Sequence, residues 1–344
     1  MFDTLYYNTS MMLYHSSLVA PSSTGAGSAQ IVSRVGKVCA AALLLVFSAA
    51  PAQAEPPTVV ASFKPIHSLV AAIMEGVGMP SLLVKGAASP HNYALTPKDA
   101  AALQDAKLIF WIGDGMEHFL HKAIDTLPQD AKSVELAGIE GLTVLPMREG
   151  GIWDEHMHEG EEHAGEEHKE EPYDGHLWLD PANAKLMTEA IVNELSAADP
   201  ADAAVYHANG DKLQARLDGL DREIAASLAP VKDVPFIVFH DAYQYFDRHY
   251  GLAGVGSITV NPEQPPGARR LGEIREKIVN QQARCVFREP NFEPALVDTV
   301  VADTDAKTGV LDPEGAGLSE GPDLYFQLMR GIADSLKACL SASS

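Results

Sequence analysis

The stretch ADAAVYHANGDKLQARLDGLDREIAASLA, residues 201–229, decides the architecture of this 344-residue chain. Its apolar side chains recur every three or four residues, which is the period of one buried helical face. The members of this face are Val205, Leu213, Leu217, Leu220, Ile224 and Leu228. The pattern predicts one helix from about Ala201 to Ala229, roughly 40 Å long at 1.5 Å per residue. A helix of that length can join two lobes as a stiff strut.

Short β-rich runs alternate with helical stretches on both sides of this segment. The predicted strands are Thr58–Ser62, Leu82–Lys85 and Lys107–Ile112 before it, and Val234–Phe239, Val255–Thr259, Arg284–Arg288 and Thr308–Leu311 after it. We therefore predict an α/β protein of two lobes, each with a mostly parallel sheet flanked by helices, and a ligand cleft between them. The expected boundaries are 55–200 for the N-terminal lobe, 201–229 for the linking helix and 230–344 for the C-terminal lobe.

Helix starts are marked by a capping residue followed by proline, at Thr96-Pro97, Asp180-Pro181 and Asp199-Pro200. The first residue of each pair can accept a hydrogen bond from an unpaired amide, and proline fits the first helical position. We expect a helix to begin at each pair.

The N-terminus has the pattern of an export signal. Arg34 and Lys37 precede the apolar run Val38–Ala50, and Ala52-Gln53-Ala54 supplies a small-residue cleavage site. The run is too short for a permanent membrane helix. We expect residues 1–54 to be a cleavable signal peptide and the mature chain to lie in a periplasm-like compartment.

In that compartment the two cysteines that remain, Cys285 and Cys339, are expected to form a disulfide; the alternative is two buried free thiols.

The chain is acidic, with 47 Asp and Glu against 25 Lys and Arg. That balance argues against nucleic-acid binding and suits a protein that attracts cations. The acidity is densest in WDEHMHEGEEHAGEEHKEEPY, residues 153–173, which predicts a solvated loop over residues 154–173. The histidines of this loop are expected to bind zinc weakly, and they are His156, His158, His163 and His168. The alternative is a merely solubilising acidic loop.

Three other histidines lie where an α/β sheet places its ligands. His240 directly follows the buried run VPFIVF, and His91 lies in a turn between the second strand and a capped helix. His176 precedes LWLDP at the end of the first lobe. Three imidazoles that converge from two lobes suit zinc, although a histidine at a strand end is often only a hydrogen-bonded surface residue.

Neighbouring residues are expected to support this site. Trp178 and Tyr243 are expected to pack beneath it, and Asp241 to orient a histidine or to cap the following helix. His67 lies among apolar residues and is expected to be a packed core histidine.

Several phrases resemble those of the periplasmic zinc-binding proteins of high-affinity zinc-uptake ABC transporters, from about Val59 to Leu340. These phrases are SFKPIHSLVAAIMEGVG, GAASPHNYALTPKDAAALQDA, HLWLDP, FHDAYQYF, GSITVNPEQPPGARRLGEIR, CVFREPNFEP and LDPEG. The resemblance implies two α/β lobes joined by a long rigid helix, with zinc held between them. It implies that the ligands are His91, His176 and His240, that the acidic loop gathers zinc, and that Cys285 pairs with Cys339.

One departure from the family concerns the fourth zinc ligand. Some members carry a glutamate directly before the first ligand histidine, and Pro90 stands there in this chain. In manganese- or iron-binding relatives an aspartate in the position of Asp312, within LDPEG, is a ligand. The fourth position is therefore Asp312 or water.

The expected function is capture of zinc and its delivery to a membrane permease with its ATPase, by a monomer that is not an enzyme. One alternative is a manganese- or iron-binding relative, but three imidazoles favour zinc. Another is a zinc hydrolase with Glu289 as base, but the chain has no HExxH motif. A surface adhesin or zinc store is the remaining alternative.

Deletion of Asp154–Glu171 should remove weak zinc binding and keep one tight site, because a preformed three-imidazole site loses little entropy on binding whereas the loop must be ordered. Calorimetric titration of the deletion variant beside the full chain measures both classes of site. Loss of the tight site would contradict the choice of His91, His176 and His240.

Overall fold

Two parallel four-stranded sheets frame the protein in a computed structural model that describes residues 55–148, 173–260 and 266–341. The first sheet comprises β1 (Val59–Phe63), β2 (Ser81–Val84), β3 (Leu108–Trp111) and β4 (Lys132–Glu135), in the order β2-β1-β3-β4. The second comprises β5 (Phe236–His240), β6 (Gly254–Thr259), β7 (Cys285–Arg288) and β8 (Lys307–Val310), in the order β6-β5-β7-β8. The predicted two-lobed α/β architecture is confirmed.

The central strands are recognisable in the sequence because both of their faces are covered. Every residue of β1, β3 and β5 is buried, so these strands read as continuous runs rather than as alternating patterns. The sequence prediction missed β4, whose residues KSVE are polar and partly exposed at the sheet edge. Its pairing with β3 identifies it as a strand, and its composition does not.

Helices cover both sheets. Their bounds are α1 Lys64–Ile73, α2 Pro97–Asp105, α3 His121–Ile124, α4 Pro181–Ala198, α5 Ala203–Leu228, α6 Gln244–Tyr250, α7 Ala268–Asn280, α8 Ala295–Val301 and α9 Leu324–Leu340. Two predicted starts are correct: Thr96 accepts a hydrogen bond from the amide of Asp99, and Asp180 accepts one from the amide of Ala182. The third is wrong, because Asp199 ends α4 and α5 begins only after Asp202.

The linking helix α5 has 26 residues, which gives it a length of about 39 Å. Its buried face begins with Tyr206 and continues to Leu228, whereas Val205, predicted to belong to that face, is 37% exposed. Gly210 lies where α4 approaches most closely, since an added Cβ would be 2.5 Å from Val192 Cγ2. A glycine at this position therefore lets α4 pack directly on α5.

One hydrophobic core runs through both lobes. Phe63 and Phe110 of the first sheet belong to the same buried cluster as Phe236 and Phe287 of the second, with the buried faces of α5 and α9 between them. Polar bonds reinforce the junction: the hydroxyl of Tyr325 in α9 donates to the carbonyl of Trp178 at 2.8 Å. Residues 53–344 accordingly cluster as one compact unit, and the predicted lobe boundaries remain a prediction.

Two predicted segments lie outside the described residues: the signal peptide over residues 1–54, and the histidines of the acidic loop. Among the helices of the described ranges, none combines the length and the apolar character needed to span a bilayer.

A disulfide joins Cys285 in β7 to Cys339 in α9, with their Cα atoms 6.3 Å apart. The predicted pairing is confirmed. The bond attaches the C-terminal helix to a strand that is buried in the second sheet.

Replacement of both cysteines by alanine should lower the free energy of unfolding by about 4 kcal/mol, because the bond closes a loop across a sequence separation of 54 residues in the unfolded chain. Urea denaturation of the double variant and of the oxidised parent gives the difference. The parent under reducing conditions is the control, and equal stability of all three would contradict the prediction.

Candidate metal centre

Three histidines from different elements meet between the lobes. His91 lies in the loop between β2 and α2, His176 precedes the short 3-10 turn Leu177–Leu179, and His240 is the last residue of β5. Their ring centroids are 5.3 Å, 5.6 Å and 5.2 Å apart, which places the three rings around one point. One ring nitrogen from each lies within 4.8 Å of the other two.

Carboxylates fix the orientation of two of these rings. His176 Nδ1 is 2.6 Å from Asp174 Oδ1, and His240 Nδ1 is 2.8 and 2.7 Å from the two oxygens of Glu289. A ring N–H directed at a carboxylate places the lone pair on the opposite nitrogen, Nε2. Both Nε2 atoms then point into the space between the rings.

The spacing of these two nitrogens suits a tetrahedral metal. His176 Nε2 and His240 Nε2 are 3.2 Å apart. Two nitrogens each 2.0–2.1 Å from a tetrahedral zinc are separated by about 3.3 Å. Two lone pairs at this distance repel each other unless a proton or a metal cation lies between them, so the arrangement favours a cation.

His91 and His240 differ in how readily they hold a proton. Burial, and then the neighbouring His176 and His240, lower the pKa of His91 well below its usual value. Burial also disfavours the charged form of His240, but Glu289, together with Glu314 and Asp241, more than offsets it, and the net pKa of His240 is raised. A proton therefore competes with a metal more strongly at His240 than at His91.

His91 completes the group as a neutral donor. Its Nε2 is buried and has no hydrogen-bond partner within the part of the chain that the structure describes. A buried nitrogen without a partner is costly, and a coordinated metal satisfies it. The main-chain amide of His91 donates to Ser89 Oγ at 3.3 Å, which steadies the loop.

No carboxylate joins this group in residues 55–148, 173–260 and 266–341. Asp312, the predicted alternative for the fourth ligand, instead uses Oδ1 to accept hydrogen bonds from the amides of Glu314 at 3.2 Å and Gly315 at 2.7 Å. The neighbouring Glu314 is itself buried, and burial raises the pKa of this carboxyl to about 8.

A cavity of ≈190 Å³ adjoins the histidines, with His91 and His176 in its wall. Arg148 and Asp241 line it as well, and Arg148 Nε lies 3.0 Å from both oxygens of Asp241. Asp241 thus pairs with an arginine, and neither role expected for it is observed: α6 begins after Tyr243 with no side-chain cap. The cavity gives solvent a place beside two of the three imidazoles.

Aromatic side chains pack under the site as expected. Trp178 is fully buried, and its ring centroid lies 5.3 Å from that of His176. Its Nε1 donates a hydrogen bond to the carbonyl of Pro313 at 2.9 Å. Tyr243 is also buried. His67 is buried in α1 and bonded to the carbonyl of Pro80 at 3.1 Å, in agreement with its expected core position.

Sequence reasoning missed two residues that touch the ligand histidines. Glu289 was considered only as a catalytic base, yet it directly follows β7, the neighbour of the strand that ends in His240. Parallel strands bring their carboxyl ends together, so this contact was predictable from the strand order. Asp174 was missed as well, although it lies only two residues before His176.

Comparisons with known proteins agree with this chemistry. The family model for the periplasmic zinc-uptake complex component A, ZnuA, matches residues 59–339. A high-affinity zinc uptake system protein ZnuA of Brucella suis biovar 1 (strain 1330) is 50% identical over 324 residues, covering 88% of this chain and 97% of the relative.

Solved structures give the same result. A crystal structure of ZnuA is 25% identical with a TM-score of 0.68, and the match covers 82% of this chain and 99% of that one. The Zn(II)-bound ZnuA-like domain of Streptococcus pneumoniae AdcA is 25% identical with a TM-score of 0.64, covering 83% of this chain and 100% of the domain.

Glu289→Gln should weaken zinc binding by about 10- to 100-fold, because a neutral amide attracts the Nδ1 proton of His240 less strongly than a carboxylate does and leaves the ring a weaker, less firmly oriented donor. Competition titration with a zinc chelator measures the change. Glu293→Gln, an exposed glutamate four residues further along, is the matched control. Equal affinity of the two variants would show that Glu289 does not tune the site.

Proposed function

The chain belongs to the family of periplasmic zinc-uptake components, and from that premise we propose that His91, His176 and His240 hold the zinc ion that it captures. The protein is the zinc-binding component of a high-affinity zinc uptake system and is not an enzyme. Members of the family are periplasmic and work with an ABC-transporter permease and ATPase. In this setting zinc is cargo, which must be bound tightly and then released.

The observation that carries the assignment is the convergence of three nitrogen atoms that have no competing use. His176 Nε2 and His240 Nε2 face each other at 3.2 Å, and His91 Nε2 is buried beside them without a partner in the described residues. Three imidazoles suit zinc, whereas manganese and magnesium prefer carboxylate and water oxygen. Glu289, the base of the hydrolase alternative, is engaged with His240 Nδ1 instead.

We propose that water fills the fourth zinc position. Asp312 holds its own turn through Oδ1, and Pro90 removes the carboxylate that some relatives use. The cavity beside His91 and His176 lets a water molecule reach the metal. Zinc with three protein ligands and one water keeps a position open for exchange, which suits a cargo that must leave again.

Further parts of the proposal rest on sequence patterns. We propose that residues 1–54 are removed as a signal peptide, that the mature protein is a monomer, and that the acidic loop over residues 154–173 collects zinc weakly near the site. The weak ligands of that loop are His156, His158, His163 and His168.

His176→Ala and His240→Ala should each weaken zinc binding by more than about 100-fold, because loss of a direct ligand costs more than loss of a residue that orients one. Asp312→Asn should cost less than about tenfold, because its amide oxygen still accepts the turn hydrogen bonds. Competition titration with a zinc chelator ranks the three variants, and circular dichroism of the zinc-free proteins controls for folding.

Two results would contradict this proposal. Wild-type affinity in both histidine variants would move the zinc site elsewhere in the chain. A loss in Asp312→Asn as large as in the histidine variants would identify Asp312 as the fourth ligand. Asp312→Ala beside Asp312→Asn separates a metal contact from damage to the turn, because the asparagine variant keeps the turn acceptor.

A further inference from the structure

We propose that Glu314 is a positioning residue for the metal site, which ties the loop carrying His91 to the loop that orients His240. This inference rests on the proposed role of the three histidines. It assigns to Glu314 a part in setting zinc affinity, although its carboxyl group lies outside the group of close ligand atoms in the described residues.

The carboxyl group of Glu314 bonds to both lobes. Its Oε1 accepts a hydrogen bond from Ser89 Oγ at 3.2 Å, and its Oε2 accepts one from Asn291 Nδ2 at 3.2 Å. Ser89 lies in the loop between β2 and α2 of the first sheet, and Asn291 lies after β7 of the second. One buried side chain therefore bridges the two halves of the cleft.

Each arm of this bridge leads to a ligand histidine. On one side Ser89 Oγ also accepts the main-chain amide of His91 at 3.3 Å. On the other side Asn291 lies two residues after Glu289, whose carboxylate holds His240 Nδ1 at 2.7 Å. A change in the position of Glu314 is thus transmitted to two imidazoles that must stay at metal-binding distance from each other.

The backbone that carries Glu314 is itself fixed. Asp312 accepts hydrogen bonds from the amides of Glu314 and Gly315. Gly315 has a φ of +73°, a backbone conformation that residues with a side chain rarely adopt. From α1, the buried Lys64 donates to the carbonyls of Gly315 at 2.8 Å and Ala316 at 3.0 Å. Glu314 therefore starts from a turn that is fixed on several sides and can hold the two neighbouring loops in place.

The arrangement also explains the observed role of Asp312. An aspartate that shapes the turn beneath Glu314 acts on the site through that turn rather than by touching the metal. Burial strengthens the effect, because hydrogen bonds that are shielded from water are not easily exchanged for solvent. Zinc affinity falls steeply with small errors in ligand geometry, so a tie of this kind contributes to affinity without contacting the ion.

Two substitutions test whether Glu314 acts through its hydrogen bonds to Ser89 and Asn291. Glu314→Ala removes both hydrogen bonds and should weaken zinc binding by about 10- to 100-fold. Glu314→Gln keeps the shape, can still accept from Ser89, and can donate to Asn291 Oδ1, which is buried without a partner in the described residues. It should therefore bind zinc within a fewfold of the parent. Glu320→Gln, an exposed glutamate on the same loop, is the control.

Chelator competition gives the zinc affinities, and the visible absorption of bound Co²⁺ reports ligand geometry directly. Glu314→Ala should shift the Co²⁺ spectrum, whereas Glu314→Gln and the control should keep it. Thermal unfolding of the zinc-free variants shows whether a loss of affinity comes from misfolding. Misfolding of part of the sample would leave the Co²⁺ spectrum of the correctly folded, metal-bound fraction unchanged. Ser89→Ala combined with Glu314→Ala should cost less than the sum of the two single losses, because both act on the same arm.

The outcomes are distinct. Parent-like affinity and spectrum in Glu314→Ala would overturn the inference, as would an equal loss in the alanine and glutamine variants, which would show that the two hydrogen bonds do not set the affinity. If the histidine variants bind zinc like the parent, the proposed site itself fails. If they lose zinc while Glu314→Ala does not, only the role of Glu314 fails.

Discussion

The protein depends on holding two imidazole nitrogens, His176 Nε2 and His240 Nε2, face to face at 3.2 Å. Such an approach is unfavourable for two lone pairs, and the fold imposes it by fixing the opposite nitrogens to Asp174 and Glu289. Both carboxylates are buried, which helps to hold the two rings in this orientation. The energetic cost of this arrangement in the metal-free protein becomes binding energy when a cation enters, because a preorganised site does not need to be ordered by its ligand.

The rest of the structure supplies the rigidity that this arrangement needs. The three proposed ligands come from both lobes, so the lobes must keep a fixed separation. The hydrophobic core continues from one sheet to the other along α5 and α9, and polar bonds cross the same junction. In α6, for example, His249 Nδ1 lies 2.8 Å from Oδ1 of Asp180 at the start of α4, and His249 Nε2 lies 2.8 Å from Oδ1 of Asp221 in α5. The loop after β2 and the carboxyl end of β5 then set the positions of His91 and His240 on this frame.

The sequence predicted those features that leave a periodic or compositional trace. Buried parallel strands are continuous apolar runs, α5 is an amphipathic repeat, and a histidine that follows a buried strand is conspicuous. Edge strand β4 left no such trace, because its stability comes from pairing with β3. The error at Val205 has a similar origin: the buried face of α5 begins only at Tyr206, and helical spacing does not reveal where the neighbouring elements stop covering a helix. Hydrogen bonds between distant loops, such as that between Ser89 and Glu314, depend on tertiary geometry that no local pattern encodes.

The positions of the nearby carboxylates explain how a site with acidic neighbours can still suit zinc. Asp174 and Glu289 act on the metal position through imidazole rings, so their negative charge strengthens the nitrogen donors without offering oxygen atoms to the ion. A carboxylate in direct contact would make the site more attractive to manganese, which favours oxygen ligands. In the described residues Asp312 bonds within its own turn and Pro90 carries no carboxylate, so neither offers an oxygen atom to the group of three histidines. In the proposed site, zinc would be preferred because the two carboxylates that contact the rings, Asp174 and Glu289, bond to imidazole nitrogens rather than offering oxygen to the ion.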